Sequence, residues 1–160
     1  MARRTHRSPR SSGPARPSGA AGSAARAAGM RIPDGAACPC GAGPGYAECC
    51  GRYHRGGAAA PTAEALMRSR YSAFAVGDEA YLLRTWHPRT RPARLGLDPR
   101  LRWTGLEIVA VAGGSAFHPT GTVAFRAHHT DGGTAEVLAE HSRFERVDGA
   151  WVYVDGDLTG

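Results

Sequence analysis

Residues 121–155 read GTVAFRAHHTDGGTAEVLAEHSRFERVDGAWVYVD, three runs of alternating character separated by Asp131-Gly132-Gly133 and Asp148-Gly149. Asp-Gly between two alternating runs is the strongest short hairpin signal, because the favoured two-residue turns need φ > 0 at their central positions. The pattern predicts strands over residues 121–130, 134–147 and 151–155, joined as a meander. Residues 103–112, followed by Gly113-Gly114, predict a fourth strand.

A two-residue turn fixes register. With Asp131-Gly132 as the first turn, Phe125 faces Leu138 and Val123 faces Glu140. With Asp148-Gly149 as the second, Phe144 faces Tyr153 and Ser142 faces Asp155. Period two then puts Leu138, Glu140, Ser142, Phe144, Tyr153 and Asp155 on one face, aromatic at its centre and acidic toward one end. An inward carboxylate must be paired or functional, because burying it alone is costly. Two uses are open. Glu140 and Asp155 pair with Arg68 or Arg70 and close the core. Alternatively, Glu140, Asp155 and His87 line an open pocket and do acid–base work, to which His87 brings a pKa near neutrality.

Working back along the chain, Thr62 is placed to cap a helix with Glu64 in its first turn. Met67, Tyr71 and Phe74 recur at helical spacing on one face, and Gly77 ends the segment. Asp78 caps a second, short helix carrying Tyr81, Leu82 and Trp86, stopped by His87-Pro88. Residues 88–102 are rich in Pro and Arg and read as an ordered loop. Helices first and strands after make the fold α+β. Trp86, Trp103 and Trp151 are assigned to the core. The tandem His128-His129 is read as solvated, since adjacent strand residues point to opposite faces.

All four cysteines fall in one run, Cys38-Pro-Cys40-Gly-Ala-Gly-Pro-Gly-Tyr46-Ala-Glu-Cys49-Cys50. Nothing marks the chain as secreted, so a disulfide framework is not expected. Two close pairs joined by a glycine-rich turn supply the four soft ligands that zinc takes as a tetrahedron. His54 follows four residues later and is an alternative ligand.

Residues 1–33 hold seven arginines, no acid and almost no apolar bulk, and read as a disordered tail: a basic arm, a transit peptide, or an extension upstream of a start at Met30. The 13 remaining arginines face 14 acids, so the folded body is about neutral and needs no nucleic-acid patch to explain it. No apolar run approaches the roughly 18 residues of a membrane span. The chain also has no phosphate loop, nucleophile elbow or His-Glu-x-x-His run. The expected compartment is the cytoplasm.

The cysteine run resembles the SEC-C zinc motif, with Ala42-Gly43 where that motif usually has Ser-Gly. Further stretches are similar to the YchJ family: Leu66–Phe74, Thr85–Pro88, Trp103–Leu106, Glu140–Phe144 and Trp151–Gly156. The resemblance covers residues 38–157. It implies a zinc knuckle over residues 34–57 and a domain like nuclear transport factor 2 over residues 58–160, a curved sheet wrapped over helices into a cone. It implies no activity. The favoured function is a zinc-stabilised binding or adaptor module rather than an enzyme. Tyr46, Arg52, Tyr53, His54 and Arg55 would then present the knuckle to a protein partner or to RNA. The alternative is a small-molecule binder or acid–base enzyme using the cone. An open cone favours the alternative, and a cone plugged by its own aromatics favours the adaptor.

Overall fold

A computed structural model describes residues 32–160, so the tail expectation for residues 1–33 falls outside that range save its last two positions. The cysteine segment folds as a 3-10 turn over Tyr46–Glu48 and a short helix α1, Cys50–His54. Helices α2 (Ala63–Val76) and α3 (Glu79–Arg84) follow, then strands β1 (Leu101–Gly113), β2 (Thr120–Asp131), β3 (Thr134–Val147) and β4 (Ala150–Leu158).

The caps are those the sequence dictates. The Thr62 hydroxyl accepts from Ala65 N at 3.0 Å, and Gly77 closes α2 in the left-handed region at φ 74°. The Asp78 carboxylate accepts from Tyr81 N at 3.0 Å. Helix α3 ends at Arg84, before Trp86, which the sequence reading had placed inside it. Proline 88 forces its predecessor toward extended geometry, and the segment runs instead alongside β4. Tyr153 N donates to Thr85 O at 2.8 Å and His87 N donates to Tyr153 O at 2.7 Å.

The four strands form one antiparallel curved sheet in the order β1-β2-β3-β4. The first predicted turn is displaced by one residue. Asp131 pairs with Thr134, and Gly132 and Gly133 take φ 56° and 89°. Phe125 therefore faces Glu140, and Ala127 faces Leu138. Sliding a two-residue turn by one position moves each partner by two, so every side chain keeps its face. The second turn is Asp148-Gly149 as expected, and Phe144 faces Tyr153. Beyond that pair a bulge leaves Val154 without a partner, and Asp155 pairs with Arg143.

Helix α2 packs across β1, β2 and β4. Between them lies the core of Leu66, Met67, Tyr71, Val123, Phe144 and Trp151, which also includes Cys38, Cys40 and Cys50. Of the three tryptophans only Trp151 is a core residue, at 3 % exposure. Half-buried Trp103 packs against that core and lines a cavity; Trp86 is half-buried and lines the same cavity outside the core, a correction to the sequence reading.

Candidate metal centre and inner cavity

The glycine-rich turn folds back so that the Sγ atoms of Cys38, Cys40, Cys49 and Cys50 lie within 4.8 Å of one another. Four thiolates about 2.3 Å from a central zinc ion stand about 3.8 Å apart, and the Cys40–Cys49 separation is 3.6 Å. All four cysteines are free. Crowding sets their ionisation: hydrogen bonds from Cys40 and Cys50 lower the Cys38 thiol, while burial pushes Cys49 up to about 11. Crowding raises the Cys50 thiol as well, so the four can ionise together only around a cation that takes the place of their protons, and the donor set fits zinc.

His54 does not take the place of a cysteine. Its Nε2 donates to Ser69 O at 2.7 Å, which leaves Nδ1 to accept from the Tyr46 hydroxyl at 2.6 Å. Burial lowers its pKa and keeps the ring neutral. Tyr53 and His54 are both buried, so of the five residues assigned to a presenting surface only Arg52 and Arg55 are exposed. The spacing Cys50, Tyr53, His54 is i, i+3, i+4, one face of a helix, and that signal in the sequence would have turned them inward. Gly51 is required here, since a Cβ would sit 2.6 Å from Tyr46 O. The knuckle is fastened to the domain. Arg68 donates to Cys40 O at 3.2 Å, and Arg84 donates to the carbonyls of Tyr53 and His54 at 3.2 and 2.7 Å.

The concave face of the sheet and helix α2 enclose a cavity of about 330 Å³. Glu140 lines it. Its Oε1 accepts from the Ser142 hydroxyl at 2.7 Å and the Tyr153 hydroxyl at 3.0 Å. Neither predicted arginine forms an ion pair with it. Arg68 bonds Glu64 at 3.1 Å. Arg70, 3 % exposed, lays its guanidinium over the rings of Trp86 and Tyr153 at 5.0 and 4.6 Å, and burial pulls its pKa down to about 10.

Asp155 does not join this site. The bulge at Val154 turns it to the outer face, where Arg143 Nε donates to it at 2.5 Å. His87 is also elsewhere: Arg89 N donates to its Nδ1 at 3.0 Å and its Nε2 lies 3.3 Å from Glu145. The proposed triad of His87, Glu140 and Asp155 is therefore not assembled. A larger, more open recess of about 720 Å³ on the surface is lined by Arg89, His118, Arg143, Glu145 and Asp155.

Two cavity groups, His129 and Trp86, stand where the sequence reading did not place them. His129 is 9 % exposed and tilts against Trp103 at 5.0 Å, so only His128 of the tandem is open to solvent. The alternation that separates two adjacent histidines also sends one of them inward. His129 Nδ1 and Trp86 Nε1 are buried with no hydrogen-bond partner among the described residues. No helix among the described residues is long and apolar enough to cross a membrane.

Residues 62–156 match the family model described as YchJ, middle NTF2-like domain. A UPF0225 protein of Streptomyces coelicolor is 70 % identical over 121 residues, 76 % of this chain and 94 % of that one. A UPF0225 protein of Corynebacterium glutamicum is 53 % identical over 78 % of this chain and 98 % of its own length. The solution structure of a SEC-C motif containing protein from Rhodopseudomonas palustris superposes with a TM-score of 0.68 at 30 % identity, covering 77 % of this chain and 98 % of that one. With its cysteine run, its curved sheet and these matches, the chain belongs to the YchJ family of UPF0225 proteins.

Proposed function

We propose that the chain is a zinc-stapled ligand-binding cone of the cytoplasm. Zinc on Cys38, Cys40, Cys49 and Cys50 locks the knuckle onto α2, a structural role, since four thiolates leave no coordination position for water. Free thiols at this density suit a reducing compartment. The observation that carries the ligand reading is the cavity itself. It is walled by aromatics, holds one half-buried acid and one buried base, and leaves two buried polar atoms without a partner among the described residues. Buried polar groups are nearly always satisfied, and a mostly apolar pocket with a few convergent polar groups is the usual form of a small-molecule site.

The adaptor reading has less support, because the knuckle's Tyr53 and His54 are spent on docking to the domain. The test is native mass spectrometry of the full chain purified from its own host without chelator. The expected mass is chain plus one zinc plus a small molecule, with the small molecule lost and zinc kept in Ala127→Trp, which fills the cavity. A wild-type chain carrying zinc and no small molecule refutes the ligand reading, and a metal-free chain refutes the staple.

A further inference from the structure

At one end of the cavity two opposite charges stand close without meeting. Arg70 uses Nη1 alone among the described residues, donating to Leu82 O and Thr85 Oγ1, both at 2.7 Å. Glu140 accepts both of its hydrogen bonds on Oε1, which leaves Oε2 for another donor. Trp86, whose ring lies 5.0 Å from the Arg70 guanidinium, has an indole N–H with no acceptor among the described residues. Gly156 leaves room for the acid: a Cβ there would overlap the Glu140 carboxylate. The site thus offers donors on one side, an acceptor on the other and no net charge between them.

We propose that this end of the cavity binds a neutral amide-type head group, C=O beside N–H, on an aromatic body. This rests on the ligand-binding reading above. The carbonyl oxygen accepts from Trp86 Nε1 and Arg70, and the N–H donates to Glu140 Oε2. A carboxylate head would gain Arg70 but meet Glu140 as a like charge in a low-dielectric setting; an ammonium head would gain Glu140 and meet Arg70. A neutral dipole matches both. The aromatic body packs against Met67, Phe74, Trp103 and Leu138, which line the cavity, with ring edges and faces available for offset contact. His129 lies four residues from Phe125 on β2, about 13 Å along the strand from the level of Glu140. It therefore meets the far end of a ligand and does not select the head.

Three probes share one body and differ in the head: 3-phenylpropanamide, 3-phenylpropanoate and 3-phenylpropylamine. The experiment titrates each into zinc-loaded, ¹⁵N-labelled full chain and follows the indole N–H resonances of the three tryptophans. The amide is expected to move the Trp86 indole signal downfield and to bind about tenfold more tightly than the acid or the amine. In Glu140→Gln, which keeps an oxygen acceptor for Ser142 and Tyr153, the acid should gain on the amide. Tighter binding of the acid or the amine at the same resonances overturns the head-group inference and leaves the ligand cavity standing. If none of the three moves a cavity resonance at saturating millimolar concentration, both readings fall.

Discussion

Replacing Cys49 by serine should unfold far more than the knuckle. Cys49 is the least buried of the four cysteines, so the substitution removes a ligand with little loss of packing. Without the metal nothing covalent holds the segment, and the docking contacts must carry it alone. Those contacts are specific. Tyr53 is buried at 7 % exposure, worth about 2 kcal/mol. Four hydrogen bonds tie the segment down: Arg84 to two carbonyls, His54 to Ser69 O and Arg68 to Cys40 O, each worth about 1 kcal/mol net. Losing them together costs about 6 kcal/mol, comparable to the whole stability of a small domain. Three of the cysteines also belong to the same core as Val123, Phe144 and Trp151. The expected result is a melting temperature lower by about 20 °C or no cooperative transition at all. The assay pairs metal analysis with thermal unfolding followed by near-ultraviolet circular dichroism, plus amide resonances of β2 and β3. A metal-free Cys49→Ser protein that keeps the β2 and β3 resonances and melts within a few degrees of wild type would refute the reasoning. The knuckle would then be separable from the cone.

Further outcomes follow from single contacts. Gly156→Ala should cost about 1–3 kcal/mol in urea unfolding, because its Cβ overlaps the Glu140 carboxylate, and Glu140→Ala should recover most of that loss in the double variant. His129→Phe should raise the stability of ligand-free protein by about 1 kcal/mol, because removing a buried Nδ1 without a partner among the described residues, with the ring kept against Trp103, outweighs losing the 3.4 Å contact of Nε2 with the exposed Glu136 carboxylate. His54 is held below its ordinary 6.5 by burial, so between its folded pKa and 6.5 the unfolded chain binds more protons than the native one. Stability attributable to His54 is therefore complete above 6.5 and falls as the pH drops below it. Chemical denaturation of wild type and His54→Gln across that range should show the wild type losing stability more steeply.

The fold was legible wherever one local rule decided it. Thr62, Gly77 and Asp78 mark helix ends because capping is a matter of neighbouring atoms. The meander was legible because Asp-Gly turns and period two are equally local. The first turn slid by one residue, but its length held, so the faces survived. Asp155 was lost because the bulge at Val154 changes the residue count on one strand, and nothing in Tyr153-Val154-Asp155 marks where the ladder breaks. His87 escaped for a different reason: its position depends on a pairing between Trp86 and Tyr153 across more than sixty residues of chain. The clustering of the four cysteines was readable from spacing alone, whereas the docking of Tyr53 and His54 needed the helix α1 to be recognised first. Arg70 was named, yet its role was not, since an arginine lying over aromatic faces has no sequence pattern that separates it from one in an ion pair.

Helix α2 joins the cysteine cluster to the cavity, so zinc bound at the one and a ligand bound in the other would be thermodynamically linked. One side of the helix meets the knuckle: Arg68 bonds Cys40 O, Ser69 O accepts from His54, and the Ser72 hydroxyl lies 3.6 Å from Cys38 Sγ. The other side supplies Met67, Arg70, Tyr71 and Phe74 to the cavity, at i, i+3, i+4 and i+7. Met67 and Tyr71 also share a core with Cys38, Cys40 and Cys50. Any loosening of the knuckle therefore frees the helix whose opposite side positions Arg70 over Trp86 and Tyr153. Coupling of this kind is reciprocal. If zinc tightens the amide probe by some factor, the probe must tighten zinc by the same factor. The check is a competition titration against a chromogenic chelator, with and without saturating 3-phenylpropanamide. The apparent zinc affinity should rise with the probe present and stay unchanged in Ala127→Trp, where the probe has no room. Equal zinc affinities in the two wild-type titrations, with the probe demonstrably bound, would mean that α2 is held by the sheet alone and that the staple stabilises without tuning the cavity.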